Sequence, residues 1–424
     1  MTIDIYPPYG SSVNPNTVTF AGVNVDAFGK LRVSNPFTLF DSQARFAADT
    51  AYSYVTATGG TTSYNTNQSS VNLNVTTTSG STAVAQTYRV FPYQPGKSLL
   101  TLQTWTMAAA QTNLRQRIGY FSAQNGVYLA QGETGTATDL SFTVRTYTSG
   151  SVDNTRTVTQ PNWNGDKLDG TGPSGVTLDV TKTQILWFDF EWLGVGSVRC
   201  GFVINGQFVT CHTFQNSNFK TVVYMQTAIL PLRYEIATTG TTVSSATLQQ
   251  ICSTVISEGG YEQISQQFVA RPTSTGVTVG TSFTPIVSMR INSSYYGAAV
   301  IPSAMNFLPI GNGQYEVVLI KNASLTGATW ASTLSGGQVD IDLAATALTN
   351  TADNIVLTSY ATASNQSRTN AVAATGYNFD LQLGYTASLS GNGYGASDTY
   401  TLAARTLSGT NACLGSIEFW NLTV

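Results

Sequence analysis

From Phe37 onward, apolar and polar side chains alternate in short runs divided by glycine, asparagine and serine. In SVNLNVT, Val71, Leu73 and Val75 fall on one face with asparagine between them. In FTVRTYT, Phe142 and Val144 keep the period, and Tyr147 follows it only roughly. A period of two is the signature of half-buried strands. The best helical candidate, Thr106 to Arg117 (TMAAAQTNLRQR), is a poor amphipathic match. Asn-Gly, a strong short hairpin signal, recurs at Asn125–Gly126, Asn164–Gly165, Asn205–Gly206, Asn312–Gly313 and Asn392–Gly393. The pattern predicts an all-β protein.

The 424 residues exceed one ordinary core, so the expected fold is two β-sandwich, jelly-roll-like domains. Residues 1–36 read as an extended N-terminal docking arm, because Pro7, Pro8 and Pro15 prevent helix and little there can be buried. A short strand, Phe28 to Ser34, lies within it. The first sandwich is expected over 37–264 and the second over 265–424, with the boundary near 262–270, where Pro272 and nearby glycines open a new block.

Charged residues make up only 10% of the chain, against roughly 25% in ordinary domains. Ser, Thr, Asn, Gln and Gly cover the surface instead, which suits packing against other protein. A net charge of −3 offers no electrostatic case for nucleic acid or an anionic membrane. No segment has the apolar length of a membrane span, and the N-terminus lacks the pattern of a secretory signal. The four cysteines, Cys200, Cys211, Cys252 and Cys413, form no CxxC pair and fit folding in a reducing cytoplasm.

Candidate chemistry concentrates between Trp187 and Phe214, WFDFEWLGVGSVRCGFVINGQFVTCHTF, which holds Asp189, Glu191 and His212, the single histidine of the chain. Alternation puts Phe188, Phe190 and Trp192 on one face and Trp187, Asp189 and Glu191 on the other. A two-residue hairpin at Asn205–Gly206 pairs Ile204 with Gln207, Phe202 with Val209, Cys200 with Cys211 and Arg199 with His212. Cys200 and Cys211 would then be a hydrogen-bonded pair about 5.5 Å apart. They are expected to be reduced because ladder geometry strains a disulfide there and the cytoplasm disfavours oxidation, with a cross-strand disulfide formed outside the cell as the alternative. In Trp163 to Gly175, Asn164, Asp166 and Asp169 are oxygen donors, but their spacing differs from an EF-hand loop. A polar turn is the default there, and a calcium ion stays open. No GxSxG, HExxH or phosphate-cradling glycine loop is present. No catalytic, cofactor-binding or metal residue is therefore assigned.

The strand and ING hairpin of the Trp187–Phe214 segment resemble the late strands of concanavalin-like jelly rolls. Some glycoside hydrolases of that fold carry E-x-D-x-x-E or E-x-D-x-E on such a strand. Set against it, Asp189 and Glu191 take the middle and last acids, while the nucleophile position falls on Trp187, which has no carboxylate. Five further stretches resemble virion-associated proteins of tailed bacteriophages: Val25 to Gln43, Tyr93 to Leu100, Leu114 to Leu129, Asn162 to Gly175 and Phe190 to Phe202. The resemblance covers about residues 25–262. It implies a non-enzymatic, multimeric head or tail projection or decoration, assembled in the host cytoplasm and docked on other virion proteins by its arm. A homotrimer is the expected state, and a host surface glycan is the remaining candidate partner. A glycan-binding adhesin (a tail fibre) and a polysaccharide-degrading enzyme stand as alternatives.

Overall fold

A computed structural model describes residues 35–423 apart from 263, 273–274, 333–335, 350–353, 363–368 and 372–378. Residues 1–34, most of the expected arm with its short strand, lie outside the described residues. Every regular element among them is a strand or a single 3₁₀ turn, so the protein is all-β. The segment from Thr106 to Arg117 forms no helix: Thr106 closes one strand and Leu114 opens the next.

The first sandwich opens with β1 (Phe37–Gln43), β2 (Tyr52–Ala57), β3 (Thr61–Asn65), β4 (Ser70–Val75) and β5 (Thr82–Thr87). It continues with β6 (Leu99–Thr106), β7 (Leu114–Phe121), β8 (Gly126–Gln131), β9 (Leu140–Thr146) and β10 (Asp153–Thr159). The last strands are β11 (Gln184–Phe190), β12 (Val198–Ile204), β13 (Gln207–Phe214), β14 (Leu232–Thr238) and β15 (Ala246–Ser257). One antiparallel sheet runs β13-β12-β11-β6-β15-β4-β3, with β1 also paired to β15; the other runs β10-β9-β8-β7-β14-β5-β2. Their facing sides make one apolar core, to which alternate residues contribute: Leu73 and Val75 of β4, Phe188 and Phe190 of β11, Phe142 and Val144 of β9.

The second sandwich packs a six-stranded sheet, centred on Thr284–Ile291 and Thr399–Thr406, against a five-stranded one centred on Val300–Pro309 and Asn411–Asn421. The two bodies are joined by more than a linker. Val90 is buried in the second core. The Tyr385 N–H donates to the Tyr88 carbonyl at 2.8 Å, and the Ala387 N–H donates to Ser53 Oγ at 2.9 Å. Gly384 permits this approach, because a methyl group there would lie 2.9 Å from Tyr88 Cβ.

The outward face of the β7–β14 sheet carries a buried ionic network. Glu235 stands directly opposite Arg117, and Arg233 opposite Gln86. Arg117 grips Glu133 with two bonds of 2.7 Å and reaches Glu235 at 3.1 Å. Arg233 binds the other Glu235 oxygen at 3.0 Å and Gln86 at 2.7 Å. Tyr128 lies between the guanidinium groups of Arg117 and Arg145, 5.3 and 4.9 Å from its ring centre. Burial alone would raise the Glu235 carboxyl, but Arg233, Arg117 and Arg115 overcome it and hold that carboxyl well below its usual range.

Candidate functional site

The outward face of the other sheet is open. On β11, Leu186, Phe188 and Phe190 enter the core, so Trp187 and Asp189 must point away from it. Glu191 follows just past the strand end and is exposed. Asp189 lies opposite Arg199 of β12, and the two form an ion pair. Trp187 lies opposite Gly201, and the glycine is what admits the indole. A methyl group at Gly201 would lie 2.8 Å from the Trp187 ring and 2.0 Å from the Val209 carbonyl oxygen.

Phe208 of β13 completes the floor. Its ring centre is 5.5 Å from that of Trp187 at an interplanar angle of 64°. Phe208 is 55% exposed and Trp187 only 3%, so the phenyl ring is the surface a ligand meets. The Trp187 Nε1–H is buried without a hydrogen-bond partner. Across β6, Lys97 and Glu258 bring in a second set of charges, held together by the Glu258 N–H donating to the Ser98 carbonyl at 2.9 Å. Burial, and then the Asp189 carboxylate, raises the Glu258 carboxyl above its usual value. These groups line a groove of about 1110 Å³, rimmed further by Ser98, Ser197 and Thr210.

His212 and the cysteines do not join this groove. The hairpin turns at Asn205–Gly206 with positive φ at both residues, and Ile204–Gln207 and Phe202–Val209 pair as expected. A register shift then intervenes: Gly201 pairs with Thr210, but Cys200 pairs with His212 and Arg199 with Thr213. The expected Cys200–Cys211 and Arg199–His212 pairs are thus incorrect. The bulge adds a residue to β13, so that both Cys211 and His212 are buried. All four cysteines are free, and burial pushes the Cys200 and Cys211 thiols far up. His212 Nδ1 accepts from the Asn164 N–H at 3.2 Å, and its ring meets Phe214 edge-on at 4.4 Å. Burial, reinforced by the Arg156 charge, lowers the imidazole to about 4 and favours its neutral form.

The loop from Trp163 to Gly175 is organised by backbone hydrogen bonds. Asn164 donates through Nδ2 to the Thr213 carbonyl at 2.9 Å and accepts from the Thr213 N–H at 2.8 Å. The Gly165 and Asp166 N–H groups donate to the carbonyls of Cys211 and Thr210 at 2.8 and 3.0 Å. Asp166 accepts from the Leu168 and Ser174 N–H groups, and Asp169 from Thr171. The three candidate cation donors thus face separate N–H groups, and Asn164–Gly165 lies along a strand edge where a hairpin turn was expected.

Sequence reasoning placed Trp187, Asp189 and Glu191 on one face, and the groove contains all three. It missed Phe208, Lys97 and Glu258 as members. Phe208 was legible from the hairpin register; Lys97 and Glu258 become neighbours only when β6 pairs with β15.

No protein-family model and no curated protein sequence matches the chain. Among solved structures, it is similar to the CBM2 module of the evolved Dit of Lactobacillus casei BL23 phage J-1, with 9% identity and a TM-score of 0.36 over 55% of this chain and 100% of that one. The Emp47p carbohydrate recognition domain shows 9% identity and a TM-score of 0.33 over 56% of this chain and 100% of its own. Peanut lectin shows 13% identity and a TM-score of 0.30 over 53% of this chain and 98% of its own. Likenesses this distant say nothing of function, which rests on the groove's own chemistry.

Proposed function

We propose that the protein is a non-enzymatic structural component of a bacteriophage particle, a multimeric head or tail projection or decoration, whose first sandwich holds a glycan in the Trp187–Phe208 groove. The observation that carries the glycan reading is the groove itself. An exposed phenyl ring backed by a buried indole, an ion pair and several hydroxyls are set in one open cleft. Sugars present an apolar C–H face to such a ring and hydroxyls to such donors and acceptors. Support for the virion setting comes from the resembling stretches between residues 25 and 262, with the arm as the docking element and a trimer as the favoured assembly.

Catalysis is disfavoured because Trp187 stands where the hydrolase nucleophile would be and Asp189 is tied to Arg199. Glu258 nevertheless supplies a second acid beside Asp189, so hydrolysis is the competing reading. One experiment reads both. The full chain is incubated with purified host surface polysaccharide, and retention and released reducing ends are measured. We expect retention that Phe208→Ala lowers at least fivefold, with no reducing ends released. Absence of retention refutes the glycan reading; reducing ends that vanish with Glu191→Gln or Glu258→Gln refute the non-enzymatic one. Quantitative mass spectrometry of intact particles tests the virion assignment, which a particle lacking the protein would overturn.

A further inference from the structure

A second cavity, of about 350 Å³, lies where the two sandwiches meet. Its size falls within the range of small-molecule sites. Its chemistry is unlike that of the groove: among the described residues, no Asp, Glu, Lys, Arg or His side chain lines it. The wall is built of amides, hydroxyls and tyrosines from both bodies. From the first sandwich come Asn125, whose Oδ1 accepts from the Gln226 N–H at 2.9 Å, and Ser122. From the second come Tyr295, Gln338 and Tyr394.

Two polar atoms in this wall are left over. Gln338 Oε1 is buried without a hydrogen-bond partner. The Tyr394 hydroxyl, on a residue only 8% exposed, lies beside Ser122 but makes no hydrogen bond of normal geometry. Buried polar groups are ordinarily paired, and orphans beside a cavity mark where a partner belongs. Gln338 is also held at a φ of 59°, a conformation a side chain rarely adopts, while its carbonyl accepts from the Asn292 N–H at 3.0 Å. Backbone held in such a state clusters at ligand sites. At the mouth, Tyr295 is about half exposed, set on a short 3₁₀ turn whose Ser294 N–H is capped by Asn292 at 2.8 Å. It presents a ring without a charge near it in the lining.

We propose that this junction pocket binds one neutral saccharide unit. Its hydroxyls would pair with Tyr394 and Gln338, and its C–H face would meet Tyr295. Groups that both donate and accept suit hydroxyls, whose own roles can reverse. An ionic ligand would find no countercharge in the lining, and Arg233, the cation behind Tyr394, is already paired with Glu235. Because the wall is shared, occupancy ties the two sandwiches together and does not depend on the groove.

The test is titration of the full chain with glucose, galactose, mannose and N-acetylglucosamine, followed by calorimetry and saturation-transfer NMR. At least one sugar is expected to bind saturably at millimolar concentration. Tyr394→Phe should weaken it about fivefold, the worth of one neutral hydrogen bond, with little loss of thermal stability, since the hydroxyl makes only a marginal contact with Ser122. Tyr295→Ala, at a half-exposed position, should weaken it as well. In a Phe208→Ala background, which removes the groove's own contribution, saturable binding should persist and Tyr394→Phe should weaken it by the same factor. The proposal is overturned if no sugar binds, if both tyrosine variants bind like the parent, or if Phe208→Ala alone abolishes binding.

Discussion

The first sandwich has two outward faces, and they handle charge in opposite ways. On the β7–β14 sheet, Glu235 and Glu133 are buried among Arg115, Arg117, Arg145 and Arg233, with Gln86 and Tyr128 occupying further donors. On the β11–β12 sheet, Asp189 has one cationic partner, Arg199, whose side chain is 56% exposed. The two carboxylates are about equally covered, with side chains 11% exposed for Asp189 and 10% for Glu235. The difference lies in their cations: those of Glu235 are buried with it, while Arg199 stays in water and can let go. The first face is therefore committed to structure, and the second is free to exchange water for a ligand.

The largest expected effect tests the closed face. Glu235→Gln leaves Arg117 and Arg233 short of a countercharge and should cost about 3–5 kcal/mol in chemical denaturation. A loss below about 1 kcal/mol would erase the distinction between the faces. Next comes Gly201→Ala on the open face. The added methyl meets a backbone carbonyl and the Trp187 ring, which should cost about 1–3 kcal/mol and also weaken retention on polysaccharide.

The third effect depends on pH. His212 titrates at about 4 when folded and near 6.5 when unfolded, so the unfolded chain binds more protons between those values. Stability should fall as pH drops from 6.5 to 4, by about 1–2 kcal/mol after allowance for solvent screening. Glu235, whose folded carboxyl is depressed, adds to the loss only below the ordinary carboxyl value of 4.5. His212→Asn, which can still accept from Asn164, should flatten the first part of the profile in denaturation series at pH 7, 6 and 4.5. An unchanged slope would remove His212 as its source. The smallest expected effect is Asp189→Asn, within about 1 kcal/mol for stability. It should still lower polysaccharide retention measurably; equal retention would separate the ion pair from binding.

Much of this architecture was legible in side-chain alternation. Val71, Leu73 and Val75 declared a strand face, and Trp187 with Asp189 and Glu191 declared the groove's acidic wall. The hairpin at Asn205–Gly206 was legible because few residues other than Asn and Gly accept positive φ twice in succession. Its bulge was not, since counting outward from a turn assumes one partner per residue, and nothing in VTCHTF announces the extra one. Asn164–Gly165 and Asn312–Gly313 show the limit of the dipeptide signal, for the second links strands of different sheets. Lys97 and Glu258 are 161 positions apart in the chain. Only the β6–β15 pairing makes them neighbours, and local periodicity carries no trace of it.

The short run at Asn164–Asp166 changes what the border of its sheet can do. β13 is the last strand of its sheet, and a terminal strand ordinarily offers a ready template to any extended chain that drifts past. Here the Thr210, Cys211 and Thr213 carbonyls and the Thr213 N–H are already taken. Over Thr210–Thr213, an extended chain cannot add itself to that border. Any contact made over that stretch is left to side chains, which choose partners; bare backbone does not.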